Sequence, residues 1–366
     1  MPKLIEKLEI IYSDYLVKKR DKYQKQNDKY KDKLDWLWQV VKQEKHFNIP
    51  FKTRLRMYKN GFSSDDYIKY DFEQNDMDDY ISEMERWQSR RINKEYNVVL
   101  DDKQLFYYVF KDNVNTPKII GTVKSGRIID TNNHVMTIKE IEEYLYDNSG
   151  LVFRLNRRGG GLGLFILKYR NGLFFLNDDV VEFKDIKKII KSIDEYIVSE
   201  AIENHPYSDK IFSKSVNTIR LIIGKNKDES EYKALAAFHR FGCNESIPGD
   251  NVSRGGLIAP IDMNTGIIGK ATRKKEKKNY SKHPDTKEQI AGVKIPHFEK
   301  MVKELVDLSY KYPFLNFVAW DVVITKKGFV VIEGNASTDI NMIQYFGGVR
   351  KKSLGKLFES YGIKRK

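Results

Sequence analysis

Three oxygen-bearing side chains near the C-terminus have the types and the spacing of a divalent-metal site. Asp321 lies in the predicted strand WDVVIT, and Glu333 lies near the end of the next predicted strand, after the turn TKKG. Pairing across this turn can set Asp321 beside Glu333, and Asn335 projects from the same strand face as Glu333 because side chains alternate along a strand. Two carboxylates and an amide oxygen suit Mg²⁺, with phosphate oxygens completing the shell. The alternative is two ordinary acids at strand ends.

A glycine-rich segment between two predicted strands could bind phosphate. Residues 157–163 read RRGGGLG, and Gly160, Gly161 and Gly163 have no Cβ to keep a ligand away from the backbone. Backbone N–H groups in such a turn favour anions, and Arg154 adds positive charge beside it. The segment is not a P-loop, since no GK[ST] follows, and not a dinucleotide-binding fingerprint, since a strand follows it. A flexible hairpin turn is the alternative.

Polar residues also occur within or between other apolar stretches. In SVNTIRL, Asn217 and Arg220 interrupt a predicted strand, and an arginine there needs a carboxylate or phosphate partner. A structural salt bridge is the alternative for Arg220. The loop GDNVSRGG could line a substrate site through Asp250, Asn251, Ser253 and Arg254. A plain connecting loop is the alternative there.

Composition indicates a soluble globular protein. The 366 residues are 32% charged and contain no apolar run near the roughly 18 residues that a membrane span needs. The single cysteine, Cys243, excludes an intrachain disulfide framework and predicts a cytoplasmic location. No HExxH or GxSxG occurs, so neither a zinc site nor a hydrolase nucleophile is expected. The net charge of +14 comes mainly from lysines spread along the chain, which indicates a solvated surface and not a dedicated nucleic-acid-binding stripe.

The elements that would position these residues alternate between strands and helices from residue 117 onward. Thr137 and Glu140 form a predicted capping box for the helix TIKEIEEYLYD. We also expect one helix capped by Asn75 and a basic loop over residues 270–282. The pattern predicts an α+β fold that follows a helical N-terminal region.

The N-terminal 46 residues are predicted to be helical. Leu4, Leu8, Ile11 and Tyr15 share one apolar face. A solvent-exposed helix is one interpretation. A membrane-surface or partner helix is the other, because Lys and Arg flank the apolar face.

The ordered set of motifs resembles the ATP-grasp superfamily, and in particular its sugar-transfer-associated branch. The resemblance runs over residues 60–347 and begins with a DK helix, Asp102 and Lys103. The motifs that follow are the glycine-rich loop, YIVSEAIENHP, SVNTIR, DNVSRGG and WDVVIT with VVIEGN. The resemblance implies an ATP-grasp fold, with two α+β lobes holding a nucleotide between them. A helical N-terminal region (1–95) would precede a lobe with the glycine-rich flap (96–195) and a lobe with the metal-binding strands (196–366).

The resemblance also implies nucleotide contacts. Arg154 stands where the family has a phosphate-binding lysine, and Lys103 would be a second phosphate contact. The backbone of the segment after Val198, including Ile202, would meet adenine, and Glu200 or Glu203 would bind the ribose hydroxyls.

Further roles follow for the C-terminal lobe. Asp321, Glu333 and Asn335 match the family's magnesium ligands. Arg220 matches a position expected to meet the γ-phosphate or an acyl phosphate, and with Asn217 it is a candidate catalytic residue.

The implied chemistry is ATP-dependent ligation of a carboxylate to an amine through an acyl phosphate, with ATP and Mg²⁺ as cofactors. The branch's association with surface polysaccharides implies an amino acid or amine joined to a sugar acid. The N-terminal helices could contact a membrane face or a glycosyltransferase. The alternatives are a kinase of a small molecule or sugar and a non-catalytic basic module that binds nucleic acid or anionic membrane.

Overall fold

Short helices precede the first strand in the computed structural model, which describes residues 34, 36, 38, 49–157, 161–273 and 278–365. They are α1 to α5: Phe51–Lys59, Ser64–Lys69, Glu83–Gln88, Asn97–Asp101 and Lys103–Phe110. Phe62, Tyr70 and Tyr80 are buried in a small aromatic core of this region. Asp102 caps α5, because its side chain accepts hydrogen bonds from two backbone N–H groups of the first turn. Apart from three positions, the predicted helix over 1–46 lies outside the described residues.

Seven antiparallel strands form the first sheet. They are β1 to β7: Ile119–Lys124, Arg127–Asp130, Leu151–Leu155, Phe165–Arg170, Leu173–Leu176, Asp179–Val181 and Tyr196–Glu200. Their order is β2-β1-β7-β3-β4-β5-β6. The helices α6 (Ile138–Asp147) and α7 (Phe183–Ser192) pack their apolar stripes on this sheet. The predicted capping box at Thr137 is confirmed.

Seven further antiparallel strands form the second sheet, after the short helix α8 (Pro206–Ile211). They are β8 to β14: Ile219–Gly224, Lys233–Phe241, Leu257–Pro260, Ala271–Arg273, Asn279–Tyr280, Phe317–Thr325 and Gly328–Asn335. Their order is β12-β11-β10-β9-β8-β13-β14. The predicted pairing of β13 with β14 across TKKG is confirmed. The α+β prediction is confirmed as well.

Helices cover both faces of the second sheet. The long helix α9 (Phe298–Lys311) packs on one face, and α11 (Ser353–Ser360), which follows the short α10 (Asn341–Gln344), packs on the other. The central strand β8 is therefore buried at every position. This burial explains its long apolar run, and it means that a charged side chain within β8 must have a partner.

The N-terminal helices are joined to the second sheet by hydrogen bonds. Asn93 donates to the carbonyl of Phe317 (2.6 Å) and accepts from the N–H groups of Asn316 (2.8 Å) and Phe317 (3.0 Å). Arg350, next to α11, forms an ion pair with Glu85. The N-terminal region is thus fixed at the start of β13.

Two sequence predictions of local structure are wrong. Residues 76–93 do not form one helix, because Asp76 caps a separate 3₁₀ turn (Met77–Asp79) and Ser82 with Glu85 caps α3. Residues 270–282 are not a simple loop, because β11 and β12 pair within them. In the described ranges, no helix has the length and apolar character needed to cross a bilayer.

Candidate active site

A cavity of about 640 Å³ lies between the two sheets. The first sheet contributes side chains of β3, β4 and β7, and the second contributes side chains of β8, β9, β13 and β14. Most predicted site residues line it: Lys103, Arg154, Gly161, Glu200, Ile202, Arg220, Asp250, Asn251, Ser253, Asp321, Glu333 and Asn335.

Arg220, Asp321 and Glu333 stand side by side across three neighbouring strands. The β8–β13 register pairs Arg220 with Asp321, and the β13–β14 register pairs Asp321 with Glu333. Arg220 donates through Nε and Nη2 to the two carboxylate oxygens of Asp321, and through Nη1 to Thr338 Oγ1 (2.8 Å). The anionic partner that an arginine in a buried strand requires is therefore a carboxylate of the same sheet.

Arg240 on β9 is a second, half-buried cation beside Asp321, and it is not among the residues predicted from the sequence. Its Nη2 lies 3.1 Å from Asp321 Oδ2, and its Nε lies 3.5 Å from Asp250 Oδ2. Burial alone would raise the pKa of Asp321, but Arg220 and Arg240 together lower it to about 2. Asp321 is thus ionised throughout the neutral range. Arg240 is a cation within a predicted strand, as Arg220 is, so the same requirement for an anionic partner applies to it.

Two cations approach Glu333 from the other side of the cavity. Lys103 Nζ lies 3.8 Å from Glu333 Oε2 and donates to the carbonyl of Asn156 (3.3 Å). Burial lowers the pKa of Lys103 and of Arg154, and the carboxylate of Glu333 offsets part of each shift. Arg154 Nε is buried and has no acceptor among the described residues. A buried donor without an acceptor suits an anionic ligand.

We call this part of the cavity the phosphate end. It is defined by four cations: Lys103, Arg154, Arg220 and Arg240. Anions such as phosphate and carboxylate are the ligands that such a set of guanidinium and ammonium groups favours.

The donor set at the phosphate end fits Mg²⁺ when a phosphate ligand shares the ion. Asp321, Glu333 and Asn335 offer only oxygen as ligand atoms, and Asn335 uses its Nδ2 to donate to the carbonyl of Ala319 (3.3 Å). Within the described ranges, no three acidic, histidine or cysteine side chains group closely enough to hold a metal by themselves. Phosphate oxygens would therefore have to complete the shell.

The glycine-rich segment contacts the cavity at Gly161. This residue has φ +67°, and a Cβ there would lie 3.4 Å from Asn251 Nδ2. Gly163 does not line the cavity; with φ +70° it packs on Tyr196, whose hydroxyl would lie 2.4 Å from an added Cβ. Gly160 lies outside the described residues.

The loop after β9 contributes three of its four predicted residues to the cavity. Asp250 is buried and accepts a hydrogen bond from the N–H of Thr218 (2.9 Å). Asn251 accepts from the N–H of Ser253 (2.8 Å) and thereby caps a 3₁₀ turn. Arg254 is exposed and does not line the cavity.

The segment that joins the two sheets places Glu200 and Ile202 on the cavity wall. Glu200 Oε1 accepts from the N–H of Lys118 (2.9 Å), so this side chain also holds the start of β1. Glu203 does not line the cavity, and its carboxylate accepts from Ser149 Oγ (3.2 Å).

Asn217 lies outside the cavity lining and is 1% exposed. Its Nδ2 donates to the carbonyls of Ser208 (3.1 Å) and Phe212 (2.7 Å). Its Oδ1 accepts from Ser215 Oγ (3.0 Å) and the N–H of Gly242 (3.1 Å). All four hydrogen-bonding positions of the amide are occupied, so here it joins α8 to the second sheet.

Solved structures similar to this chain are remote in sequence. The D-Ala:D-Ser ligase VanG from Enterococcus faecalis has 13% identity and a TM-score of 0.39, and the match covers 72% of this chain and 61% of that one. A D-alanine–D-alanine ligase from Bacillus anthracis complexed with ATP has 14% identity and a TM-score of 0.38, with 72% and 68% covered. The N5-carboxyaminoimidazole ribonucleotide synthetase from Thermotoga maritima has 11% identity and a TM-score of 0.33, with 65% and 42% covered.

No curated protein matches the chain. A family model described as sugar-transfer associated ATP-grasp matches residues 83–356. This range includes both sheets and every residue of the phosphate end. The protein therefore belongs to the sugar-transfer associated ATP-grasp family.

Proposed function

We propose that the protein is an ATP- and Mg²⁺-dependent ligase that joins a carboxylate to an amine through an acyl phosphate. The observation that carries the proposal is the phosphate end itself, where buried cations and an oxygen-only donor set share one cavity between two sheets. Family membership supports ATP as the nucleotide. The division of the chain into a helical N-terminal region (1–95), a lobe with the glycine-rich flap (96–195) and a lobe with the metal-binding strands (196–366) is part of the proposal.

The residues of the phosphate end would act by binding and orientation. Lys103 and Arg154 would bind phosphate oxygens from the first sheet, while Arg220 holds Asp321 in place in the second. Asp321, Glu333 and Asn335 would hold Mg²⁺, which when bound neutralises charge on the transferred phosphoryl group.

The reaction needs no nucleophile from the protein. The γ-phosphoryl group passes from ATP to a carboxylate oxygen of the substrate, which gives ADP and an acyl phosphate. The substrate amine then attacks the acyl carbon, loses a proton and releases inorganic phosphate, which leaves an amide. Positioning and fixed positive charge are sufficient for both steps.

The finer assignment is that an amino acid or amine is attached to a sugar acid in surface-polysaccharide biosynthesis. The description of the family as sugar-transfer associated supports this substrate class. A membrane face or a glycosyltransferase remains the proposed partner of the N-terminal helices.

The test is ADP release with pairs of sugar acids and amines, followed by product analysis. We expect ADP, inorganic phosphate and an amide in equal amounts, and at least a 100-fold lower rate for Glu333→Gln. Glu304→Gln on the exposed side of α9 is the matched control and should leave the rate unchanged. Phosphate retained on the product would identify a kinase instead. Binding of RNA or anionic vesicles without any binding of Mg–ATP would overturn the proposal in favour of an interaction module.

A further inference from the structure

The cavity continues beyond the phosphate end to a second end, which the N-terminal region builds. Its lining there includes Trp36, Asp65, Lys69, Glu83 and Arg86 of the N-terminal region, and Asp339 of the segment after β14. We call this part the N-terminal end. The sequence analysis assigned no role to any of these residues.

The two cations of the N-terminal end are already paired. Arg86 donates through Nε to Glu83 Oε1 (2.9 Å), and the other oxygen of Glu83 accepts from Asn341 Nδ2 (2.9 Å). Lys69 lies 3.4 Å from the buried carboxylate of Asp66 and 3.8 Å from Asp65 Oδ2. Both cations therefore already have carboxylate partners.

Three polar atoms of the N-terminal end have no hydrogen-bond partner among the described residues. They are Asp65 Oδ1, Asp339 Oδ1 and the indole N–H of Trp36, and each atom is buried. The Trp36 side chain as a whole is 1% exposed. A buried carboxylate oxygen without a donor is unfavourable, so the two carboxylates call for a ligand that brings donors, whereas the indole N–H calls for an acceptor.

The two ends of the cavity thus differ in chemistry. At the phosphate end, the buried polar atom without a partner among the described residues is a donor, Arg154 Nε. At the N-terminal end, two of the three such atoms are carboxylate oxygens, which need donors. Asp339 follows Asn335 by four residues, so one short segment contributes to both ends. An ammonium group, with three N–H donors and a positive charge, complements two incompletely paired carboxylates.

We infer that the N-terminal end is the amine subsite, where Asp65 and Asp339 accept hydrogen bonds from the ammonium group of the second substrate. The inference rests on the proposed ligase function and assigns the N-terminal helices a substrate-binding role. Carboxylate substrate and nucleotide, which are both anionic, belong at the phosphate end.

The experiment measures amine binding to the full chain saturated with ADP and Mg²⁺. The probes are glucosamine, ethanolamine, alanine and lysine, each compared with its fully N-acetylated form by isothermal titration calorimetry. We expect at least one amine to bind, and its acetylated form to bind at least tenfold more weakly because the charge and two donors are lost. This comparison uses the unaltered protein, so it does not depend on how any variant folds.

Variants then locate the subsite. Asp65→Asn and Asp339→Asn should each weaken binding of that amine at least tenfold, because an amide of the same size carries no charge. Asp147→Asn, at the exposed end of α6, is the matched control and should leave the affinity unchanged. The affinity for ADP should be the same in all three variants.

Three results would overturn the inference while leaving the ligase proposal intact. The first is binding of ADP with no binding of any of the four amines. The second is amine binding that the two variants do not alter. The third is equal binding of an amine and its acetylated form. Failure of the unaltered chain to bind ADP would instead contradict the ligase proposal.

Discussion

Arg220 and Asp321 are register partners on β8 and β13, and their side chains form a two-point ion pair inside the second sheet. Helices cover both faces of the sheet, so a ligand reaches the pair through the cavity between the two sheets. The pair is therefore part of both the fold and the proposed site, and the two roles can be separated by experiment.

Removing Asp321 should destabilise the protein because two arginines would lose their buried counter-charge. We expect Asp321→Leu to lower the free energy of unfolding by about 3–5 kcal/mol, and the double variant Arg220→Met with Asp321→Leu to cost less than the sum of the single changes. Urea denaturation of the four proteins measures this coupling. The exposed pair Lys303 and Asp307 is the control, and its coupling should be too small to resolve. Additive effects at Arg220 and Asp321 would contradict the prediction.

Replacing Arg154 should weaken ligand binding without lowering the stability of the ligand-free protein. Arg154→Met removes a buried cation whose Nε has no acceptor among the described residues, so the ligand-free protein should melt at the same temperature or higher. Its affinity for Mg–ADP should fall roughly 10- to 100-fold, the value of a charge-assisted hydrogen bond. Arg154→Lys should recover most of the affinity. Thermal melting with and without Mg–ADP measures both effects, and normal ADP binding by the methionine variant would rule out a phosphate contact.

Gly163 should tolerate no side chain, because two separate costs apply there. Its φ of +70° disfavours any L-residue, and an added Cβ would lie 2.4 Å from the Tyr196 hydroxyl. We expect Gly163→Ala to cost about 2–4 kcal/mol. Gly172→Ala is the matched control, since its φ is +81° with nothing within 4 Å of a Cβ, and it should cost about 1 kcal/mol. Tyr196→Phe should recover part of the difference in urea denaturation; no recovery would show that the hydroxyl is not the obstacle.

His239 should make the protein less stable in mild acid. Burial lowers its pKa to about 3, and its ring bonds to the Tyr207 hydroxyl (2.6 Å) and to the carbonyl of Arg240 (3.0 Å). Between pH 6.5 and 3 the unfolded chain binds a proton at this residue that the folded chain does not, so stability is lost as the pH falls through that window. The contribution over the whole window is roughly 3–5 kcal/mol.

The variant that checks this pH dependence is His239→Gln. Its free energy of unfolding should vary less with pH between 6.5 and 4 than that of the unaltered protein. Identical slopes for the two proteins in urea denaturation would mean that His239 does not contribute to the acid sensitivity.

The strands that carry the candidate site could be predicted from sequence because their signals are local. The turn TKKG between two apolar runs is sufficient to pair β13 with β14 and to set Asp321 beside Glu333. Asn217 shows the limit of this reasoning. The sequence pattern of a polar residue in an apolar stretch does not distinguish a side chain that binds a ligand from one that, as here, donates to the backbone carbonyls around α8.

The N-terminal end of the cavity could not be predicted because no spacing rule connects its members. Asp65 lies in the first turn of α2, and Asp339 follows β14, the last strand. Only folding of the chain brings these two residues to one cavity. The break between Met77–Asp79 and α3 has a related cause. The capping box of Ser82 with Glu85 is present in the sequence and marks a separate helix start within the predicted helix.

The bonds that Asn93 makes to the backbone of residues 316 and 317 bear on how the molecule can be handled in the laboratory. A shortened chain that starts after this residue would leave two amides and a carbonyl of the interior without partners, each at about 1–3 kcal/mol. Removing the N-terminal helices to aid expression or crystal growth would therefore destabilise the second sheet. The protein should be produced with its N-terminal region in place.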